Sequence, residues 1–236
     1  MKGLCGMAGF SLPAIVVNFK CYLEATGRKA LELARVCEKV SREFNVTVAV
    51  APQFTDLKAV TKETSIPVFS QHVDPIKPGS HTGHILVEAV KEVGVVGSLI
   101  NHSERRVSDE AIKAAVERLR ETGLTSIVCA DTPETCRRLA SFNPDIIAIE
   151  PPELIGTGIP VSKAKPEVVT GAVEAVKLVN PSIPVLCGAG ISVGGDVAAA
   201  LKLGTKGVLL ASGVVKAKEP YKVLADMAKS LVGALG

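Results

Sequence analysis

The sequence contains no tryptophan, and its aromatic residues are limited to six phenylalanines and two tyrosines. Proteins that bind single-stranded nucleic acids stack bases on aromatic side chains inside a strongly basic groove. Here 27 lysines and arginines stand against 24 aspartates and glutamates, and the two signs are interspersed along the chain. We therefore expect no nucleic-acid partner, although this balance is compatible with a locally positive pocket for a small anion.

Long apolar runs and paired cysteine motifs are also missing. Glycine, serine or proline interrupts every uncharged stretch before the roughly 18 residues that a membrane-spanning helix needs, so we expect no membrane association. The same interruptions within residues 3–19 argue against a secretory signal. The six cysteines form no Cys-x-x-Cys pair, and most lie in apolar segments, as reduced core thiols do. These features favour a cytoplasmic location.

Short runs rich in valine and isoleucine recur eight times along the chain. They are continuously apolar and do not alternate with polar residues, which is typical of parallel strands that are buried on both faces. The predicted strands cover residues 14–19, 46–51, 67–71, 96–101, 125–130, 146–150, 184–188 and 207–211.

Helices are predicted between these strands. Apolar residues recur at helical spacing within 30–40, 112–119 and 169–176, and Pro133 and Pro166 are placed to lie in the first turn of a helix. Eight strand–helix units fill the 236 residues, close to the roughly 250 residues of a closed (β/α)8 barrel. We therefore predict a single (β/α)8 TIM barrel domain over residues 1–236, in preference to an open, doubly wound sheet.

Polar side chains and glycines cluster where the predicted strands end. In such a barrel the loops after the strands carry the chemistry. The first, fourth and sixth strands run into the polar segments 18–20, 101–105 and 150–158, and the seventh and eighth run into the small residues of 188–192 and 211–213. Small residues let backbone N–H groups approach an anion, so the last two turns predict a phosphate site.

Three of these segments carry a resemblance to a known family. Asn-Phe-Lys at 18–20, Asn-His-Ser-Glu-Arg at 101–105 and Glu-Pro followed by Ile-Gly-Thr-Gly within 150–158 occur in register, and the chain from Asn18 onward resembles triosephosphate isomerases. The short chain and the Gly-Ala-Gly-Ile-Ser turn at 188–192 are similar to the archaeal branch. Two departures from the commoner pattern are Gly190 in place of serine and Ala211-Ser212 in place of two glycines. Residues 1–10 match nothing in the family and receive no role.

The resemblance implies an isomerase, free of metal and cofactor, that interconverts dihydroxyacetone phosphate and glyceraldehyde 3-phosphate. Glu150 would be the base that moves a proton between adjacent carbons, and His102, as a neutral imidazole, would polarise the carbonyl oxygens. Lys20 would offset the negative charge, and Asn18 would donate a hydrogen bond. Proton abstraction from carbon requires such a base together with donors aimed at the oxygen where charge develops.

Further contacts follow from the same resemblance. Residues 151–158 would form a lid over the site, Ser103 would hydrogen-bond Glu150, and Glu104 would pair with Lys20. The implied substrate contacts are Asn18, Phe19, Lys20, Ile155, Gly156, Gly190, Ala211 and Ser212.

The segment 71–84 resembles a loop that family members insert into a second subunit. Thr82 would lie at its tip, near the partner's Asn18 and the partner's Lys20. The resemblance thus implies a homodimer, or a tetramer built as a dimer of dimers.

Two other functions stay open on the residues alone. Another phosphosugar barrel, such as an epimerase or a synthase, would share the phosphate turns, but an epimerase needs two opposed acids or bases. A barrel that only senses a phosphorylated ligand would lack the base, whereas Glu150 is present. His81 and His84 are spaced as a metal pair but have no third ligand, and the glycines of 188–194 form a poor dinucleotide fingerprint.

Overall fold

Eight parallel strands alternate with helices in the structure, a computed structural model that describes residues 9–151 and 160–234. Each strand lies within a predicted run, and the third is the most shortened. The strands are β1 (Ala14–Asn18), β2 (Thr47–Ala51), β3 (Phe69–Ser70), β4 (Gly97–Ile100), β5 (Thr125–Ala130), β6 (Ile146–Ile149), β7 (Val185–Gly188) and β8 (Gly207–Leu210).

The strands form one sheet that closes on itself. The hydrogen-bonded order is β2-β1-β8-β7-β6-β5-β4-β3, and Ala14 of β1 pairs with Thr47 of β2 on one side and with Gly207 of β8 on the other. A parallel bridge between Val50 and Val68 joins the two ends of this order. Because the first and last members of the order meet there, the predicted (β/α)8 barrel is confirmed and the open sheet is excluded.

Helices cover the outside of the barrel. Proline begins α5 (Pro133–Ala140) and α7 (Pro166–Val179), as predicted. The apolar faces predicted within α1 (Arg28–Phe44) and α4 (Asp109–Thr122) are buried. None of the described helices is long and apolar enough to cross a membrane. The helices are α1 (Arg28–Phe44), α2 (Leu57–Glu63), α3 (Val87–Glu92), α4 (Asp109–Thr122), α5 (Pro133–Ala140), α6 (Val161–Ala164), α7 (Pro166–Val179), α8 (Gly194–Lys202), α9 (Ser212–Val215) and α10 (Pro220–Gly233).

Two hydrophobic layers result from the alternation of side chains along the strands. One layer lies between the strands and the helices, and the other fills the barrel interior. Phe10 belongs to the interior layer, where its ring meets that of Phe69 edge to face at 5.0 Å between centroids. Phe10, to which the sequence assigned no role, therefore helps to fill the barrel.

Candidate active site

A cavity of about 240 Å³ opens at the end of the barrel where the strands finish. Its described walls come from the ends of β1, β4, β6, β7 and β8, the strands whose termini carried the polar and small residues in the sequence. The lining residues are Asn18, Lys20, His102, Glu150, Ala189, Gly190, Ile191, Ser192, Leu209, Leu210, Ala211, Ser212 and Gly213.

Strand alternation explains why these side chains face the cavity. Ile146 and Ala148 of β6 lie in the barrel interior, so Glu150, two residues further along, also faces inward. In β1, Val16 lies in the barrel interior, so Asn18, two residues further along, faces inward as well. The barrel therefore brings together at one mouth residues that lie more than a hundred positions apart in the chain.

Glu150 is a buried carboxylate with an unused acceptor. Its side chain is 7% exposed, and its Oε2 atom has no hydrogen-bond partner among the described residues. Gly188 of β7 packs directly against it, because a Cβ atom at that position would lie 2.3 Å from Glu150 Cγ. A carboxylate oxygen with free lone pairs, facing a cavity, is suited to accept a proton.

Two buried thiols flank Glu150 on the neighbouring strands. Burial, followed by the charge of Glu150, raises the pKa of Cys129 well above its usual value. The same causes, in the same order, raise the pKa of Cys187 to about 12. Both thiols are therefore neutral near pH 7 and add no charge beside the carboxylate.

His102 faces Glu150 across the cavity wall. Its Nε2 atom lies 3.7 Å from Glu150 Oε2, which is beyond hydrogen-bond length. The backbone N–H of Glu104 donates to His102 Nδ1 at 3.2 Å. An accepting Nδ1 carries no proton, so this contact assigns the proton of a neutral ring to Nε2, on the side of the cavity. The imidazole is then a donor aimed at the same space as the carboxylate.

Lys20 is held in an uncommon backbone conformation. Its φ is +48°, in the left-handed region that residues other than glycine rarely adopt. The Asn18 side chain accepts from the Lys20 N–H at 2.9 Å, and Gln71 Nε2 donates to the Lys20 carbonyl at 2.9 Å and to the Ala51 carbonyl at 3.0 Å. Gln71 thus supports the position of Lys20, a role that sequence reasoning missed because nothing in the pattern of 67–71 indicates contact with 18–20.

Glu104 pairs with Lys20, whereas the expected hydrogen bond from Ser103 to Glu150 is not among those of the described residues. The Lys20 Nζ and Glu104 Oε1 atoms are 2.8 Å apart, with the two side chains 9% and 56% exposed. Among the described contacts no hydrogen bond joins Ser103 to Glu150, whose Oε2 atom is without a partner there. The ammonium group of Lys20 is therefore fixed at the cavity wall by a partner that itself reaches solvent.

The turns after β7 and β8 form the side of the cavity predicted to hold phosphate. Ala189 and Gly190 both have positive φ, at +70° and +72°. Asp196 accepts from the N–H groups of Ser192 and Val193 at 3.0 and 3.1 Å, which fixes the end of this turn. Sequence reasoning did not single out Asp196, although an acidic residue in the first turn of a helix is a known capping signal.

The two turns touch each other. A Cβ atom on Gly213 would lie 2.6 Å from the Ile191 carbonyl oxygen, so only glycine allows this approach. Gly190, Ala211 and Ser212 consequently line one continuous wall.

The remaining predicted contacts lie away from the cavity or outside the described residues. Phe19 is fully buried in the hydrophobic layer between strands and helices, because successive side chains of a strand point to opposite faces and Asn18 points inward. Thr82 is exposed and does not line the cavity of its own chain. Ile155 and Gly156, with most of the predicted lid, fall outside the described residues.

A grouping of metal ligands is absent from the described part of the chain. No three histidine, cysteine, aspartate or glutamate side chains within residues 9–151 and 160–234 lie close enough together to hold one ion. The rings of His81 and His84 do meet, at 5.8 Å between centroids, but without a third ligand group.

Comparison with known proteins agrees with this geometry. The sequence model of a family described as triosephosphate isomerase matches residues 13–230. A triosephosphate isomerase of Methanocaldococcus jannaschii is 55% identical over 215 residues, which cover 91% of this chain and 98% of the relative. Those of Methanothermus fervidus and Methanosarcina barkeri are 56% and 55% identical, over 91% and 92% of this chain and 97% of each relative.

Proposed function

This chain belongs to the triosephosphate isomerase family, and we propose that it interconverts dihydroxyacetone phosphate and glyceraldehyde 3-phosphate with Glu150 as base and His102 as proton donor. The observation that carries this assignment of roles is the approach of Glu150 Oε2 to His102 Nε2, 3.7 Å apart in one cavity. One group is a buried acceptor without a described partner, and the other is a donor facing the same space.

The reaction needs no external oxidant or reductant, because C1 is oxidised while C2 is reduced. Glu150 takes the proton from C1 of dihydroxyacetone phosphate, and the electrons of that C–H bond form the C1–C2 double bond while the carbonyl electrons move to O2. Protonated Glu150 returns the proton to C2. His102 passes a proton between O1 and O2, so that O1 becomes the aldehyde oxygen. Donors set in place before the reaction are the usual means of stabilising such an enediolate.

Lys20 and Asn18 supply the charge and a further polar contact. The Lys20 ammonium group lies at the wall shared with His102 and Glu150, where it offsets the negative charge of the enediolate and of the phosphate. Asn18 uses its Oδ1 atom to hold the Lys20 backbone, so its Nδ2 group is the part that can donate to substrate.

Phosphate binding is assigned to the backbone N–H groups of Gly190, Ala211 and Ser212, whose small side chains leave them accessible. Glu150 is the one carboxylate among the described residues that line the cavity, so a second carboxylate is not there to serve as the opposed acid or base of an epimerase. The lid of residues 151–158, including contacts from Ile155 and Gly156, remains a prediction.

The test is a coupled assay of the purified protein on dihydroxyacetone phosphate, with a chelator present. We expect robust turnover by the wild-type protein and a loss of about a thousandfold in kcat for Glu150→Gln, since a positioned base commonly contributes 10²–10⁴-fold. The control is Glu117→Gln, the same change on the exposed face of α4. Unchanged activity in Glu150→Gln would refute the assignment of the base.

We propose further that the chain self-associates through the loop of residues 71–84. A second cavity, of about 410 Å³, lies on the other side of Lys20, with Tyr22, Phe54 and Arg105 among its walls. Residues 77–84, with Thr82 among them, are exposed on their own chain and could fill that cavity in a second copy. Light scattering coupled to size exclusion should give a dimer or a tetramer, and a monomeric mass would contradict this proposal.

A cytoplasmic location is also proposed. Cys21, Cys37, Cys129, Cys136 and Cys187, the cysteines of the described residues, are all free thiols, which suits a reducing compartment.

A further inference from the structure

We infer that Asn101 is a positioning residue for His102, an inference that rests on the proposed function. Asn101 follows the last residue of β4 and directly precedes His102. It is buried, it lies outside the set of residues that line the cavity, and its side chain bonds to the backbone of β5 and to the far end of the His102 loop.

The backbone of Asn101 leaves the strand in a conformation that few residues accept. Its φ is +60°, in the left-handed region. Asparagine enters this region more readily than other residues with a Cβ atom. The positive φ of Asn101 turns the chain sharply after β4, so that His102 does not continue the strand and instead lies at the cavity wall. The residue type at position 101 therefore decides the direction in which the His102 loop starts.

The side-chain amide of Asn101 then fixes both ends of the loop. Its Nδ2 donates to the Cys129 carbonyl of β5 at 3.1 Å, and its Oδ1 accepts from the Val107 N–H at 3.2 Å. The first bond anchors the loop to the neighbouring strand, and the second closes the loop over residues 101–107. One donor and one acceptor are required, so an amide satisfies both bonds where a carboxylate would set an acceptor against the Cys129 carbonyl.

The groups held inside this closed loop are those that orient the imidazole. The Glu104 N–H that donates to His102 Nδ1 lies within it, and the Arg105 N–H donates to the His102 carbonyl at 2.7 Å. Opening the loop at Asn101 would let the Glu104 N–H move relative to the ring. The protonated Nε2 would then no longer be held toward the cavity.

The test uses Asn101→Gly and Asn101→Asp. Glycine keeps the left-handed backbone and loses both side-chain bonds, while aspartate keeps the shape and the bond from Val107 but loses the donor. We expect kcat to fall by about tenfold to a hundredfold in each, because misplacement of a catalytic group by about 1 Å costs on that order. KM should change by less than about threefold, since a donor that acts mainly in the transition state affects kcat.

The matched control is Asn45→Gly. Asn45 also has a positive φ, +51°, and ends α1 on the exposed surface, so the variant should keep the wild-type kcat. A second readout is the ¹⁵N spectrum of the imidazole rings, with the His102 signals assigned by their absence in His102→Gln. In both Asn101 variants we expect the Nδ1 and Nε2 shifts of His102 to change, while those of the other three histidines keep their wild-type positions.

The outcomes separate the two proposals. Wild-type kcat and unchanged His102 shifts in the Asn101 variants would overturn the positioning role, as would lower thermal stability with unchanged His102 shifts. Rescue of kcat in Asn101→Asp relative to Asn101→Gly would show that the donor to Cys129 is not needed and would overturn that part of the argument. An inactive wild-type protein would instead refute the proposed function, and the His102 spectrum would still test the effect of Asn101.

Discussion

Replacing Gly188 by alanine should displace the base without unfolding the barrel. Gly188 is the last residue of β7, and its new Cβ atom would lie 2.3 Å from Glu150 Cγ and 2.8 Å from Cδ and Oε1. The atoms it meets belong to the flexible side chain of Glu150 and not to backbone. The glutamate therefore moves and the strands stay in place.

The size of the effect follows from these distances. Ordinary contact with a Cβ atom begins at 3.4 Å, so Glu150 Cγ must retreat by about 1 Å, and a misplacement of that order costs about a hundredfold in rate. A hundredfold loss in kcat corresponds to about 2.7 kcal/mol of barrier. The thermal midpoint should change little, because a side-chain rotation absorbs the contact.

The assay measures kcat and KM in both directions for Gly188→Ala and for Gly195→Ala. A Cβ atom on Gly195, in the first turn of α8, would meet nothing within 4 Å, so this control should retain wild-type activity. The reasoning fails if Gly188→Ala keeps kcat within about threefold of wild type, or if its crystal structure shows the Glu150 carboxylate in the original position.

Two further predictions concern charge and thiol reactivity. Lys20→Met should lower kcat/KM by at least about tenfold, because a hydrogen bond to a charged group is worth about 1.5–3 kcal/mol. Glu104→Gln should have a much smaller effect on kcat/KM, since that side chain is 56% exposed and solvent screens its charge. Steady-state kinetics measure both variants, and equal losses of kcat/KM would contradict this ranking. Burial raises the pKa of Cys37, Cys136 and Cys187 to about 12, so at pH 8 these thiols stay protonated and should resist alkylation until denaturant is added. Peptide mapping by mass spectrometry checks this, and rapid alkylation of Cys37 in the native protein would refute it.

Strand and helix positions could be predicted because their signal is local. Buried parallel strands need runs that are mostly apolar, and Ile127–Ala130 supplies such a run in β5, whose bounds match the predicted 125–130. Pro133 and Pro166 begin helices because their fixed φ and missing N–H suit a first turn. The third strand is shorter than predicted, since only Phe69 and Ser70 pair with β4, while Val68 makes an isolated bridge to Val50.

The residues that hold the catalytic loops in place could not be predicted from local sequence patterns. Gln71 holds a carbonyl 51 positions away, and Asn101 holds one 28 positions away, with no periodicity that connects either pair. Phe19 was expected from the family resemblance to contact substrate, but successive side chains of a strand face opposite sides, and the Phe19 side chain packs between the strands and the helices.

The sequence by itself determined the number and order of strands, the helices between them and the polar residues at the strand ends, because hydrophobic pattern and residue type are properties of neighbouring positions. Only the closed barrel decided which of those ends meet. It placed His102 Nε2 3.7 Å from Glu150 Oε2 and made Gly188, Gln71 and Asn101 their supports, because distances between side chains from separate strands depend on register and packing across the whole sheet.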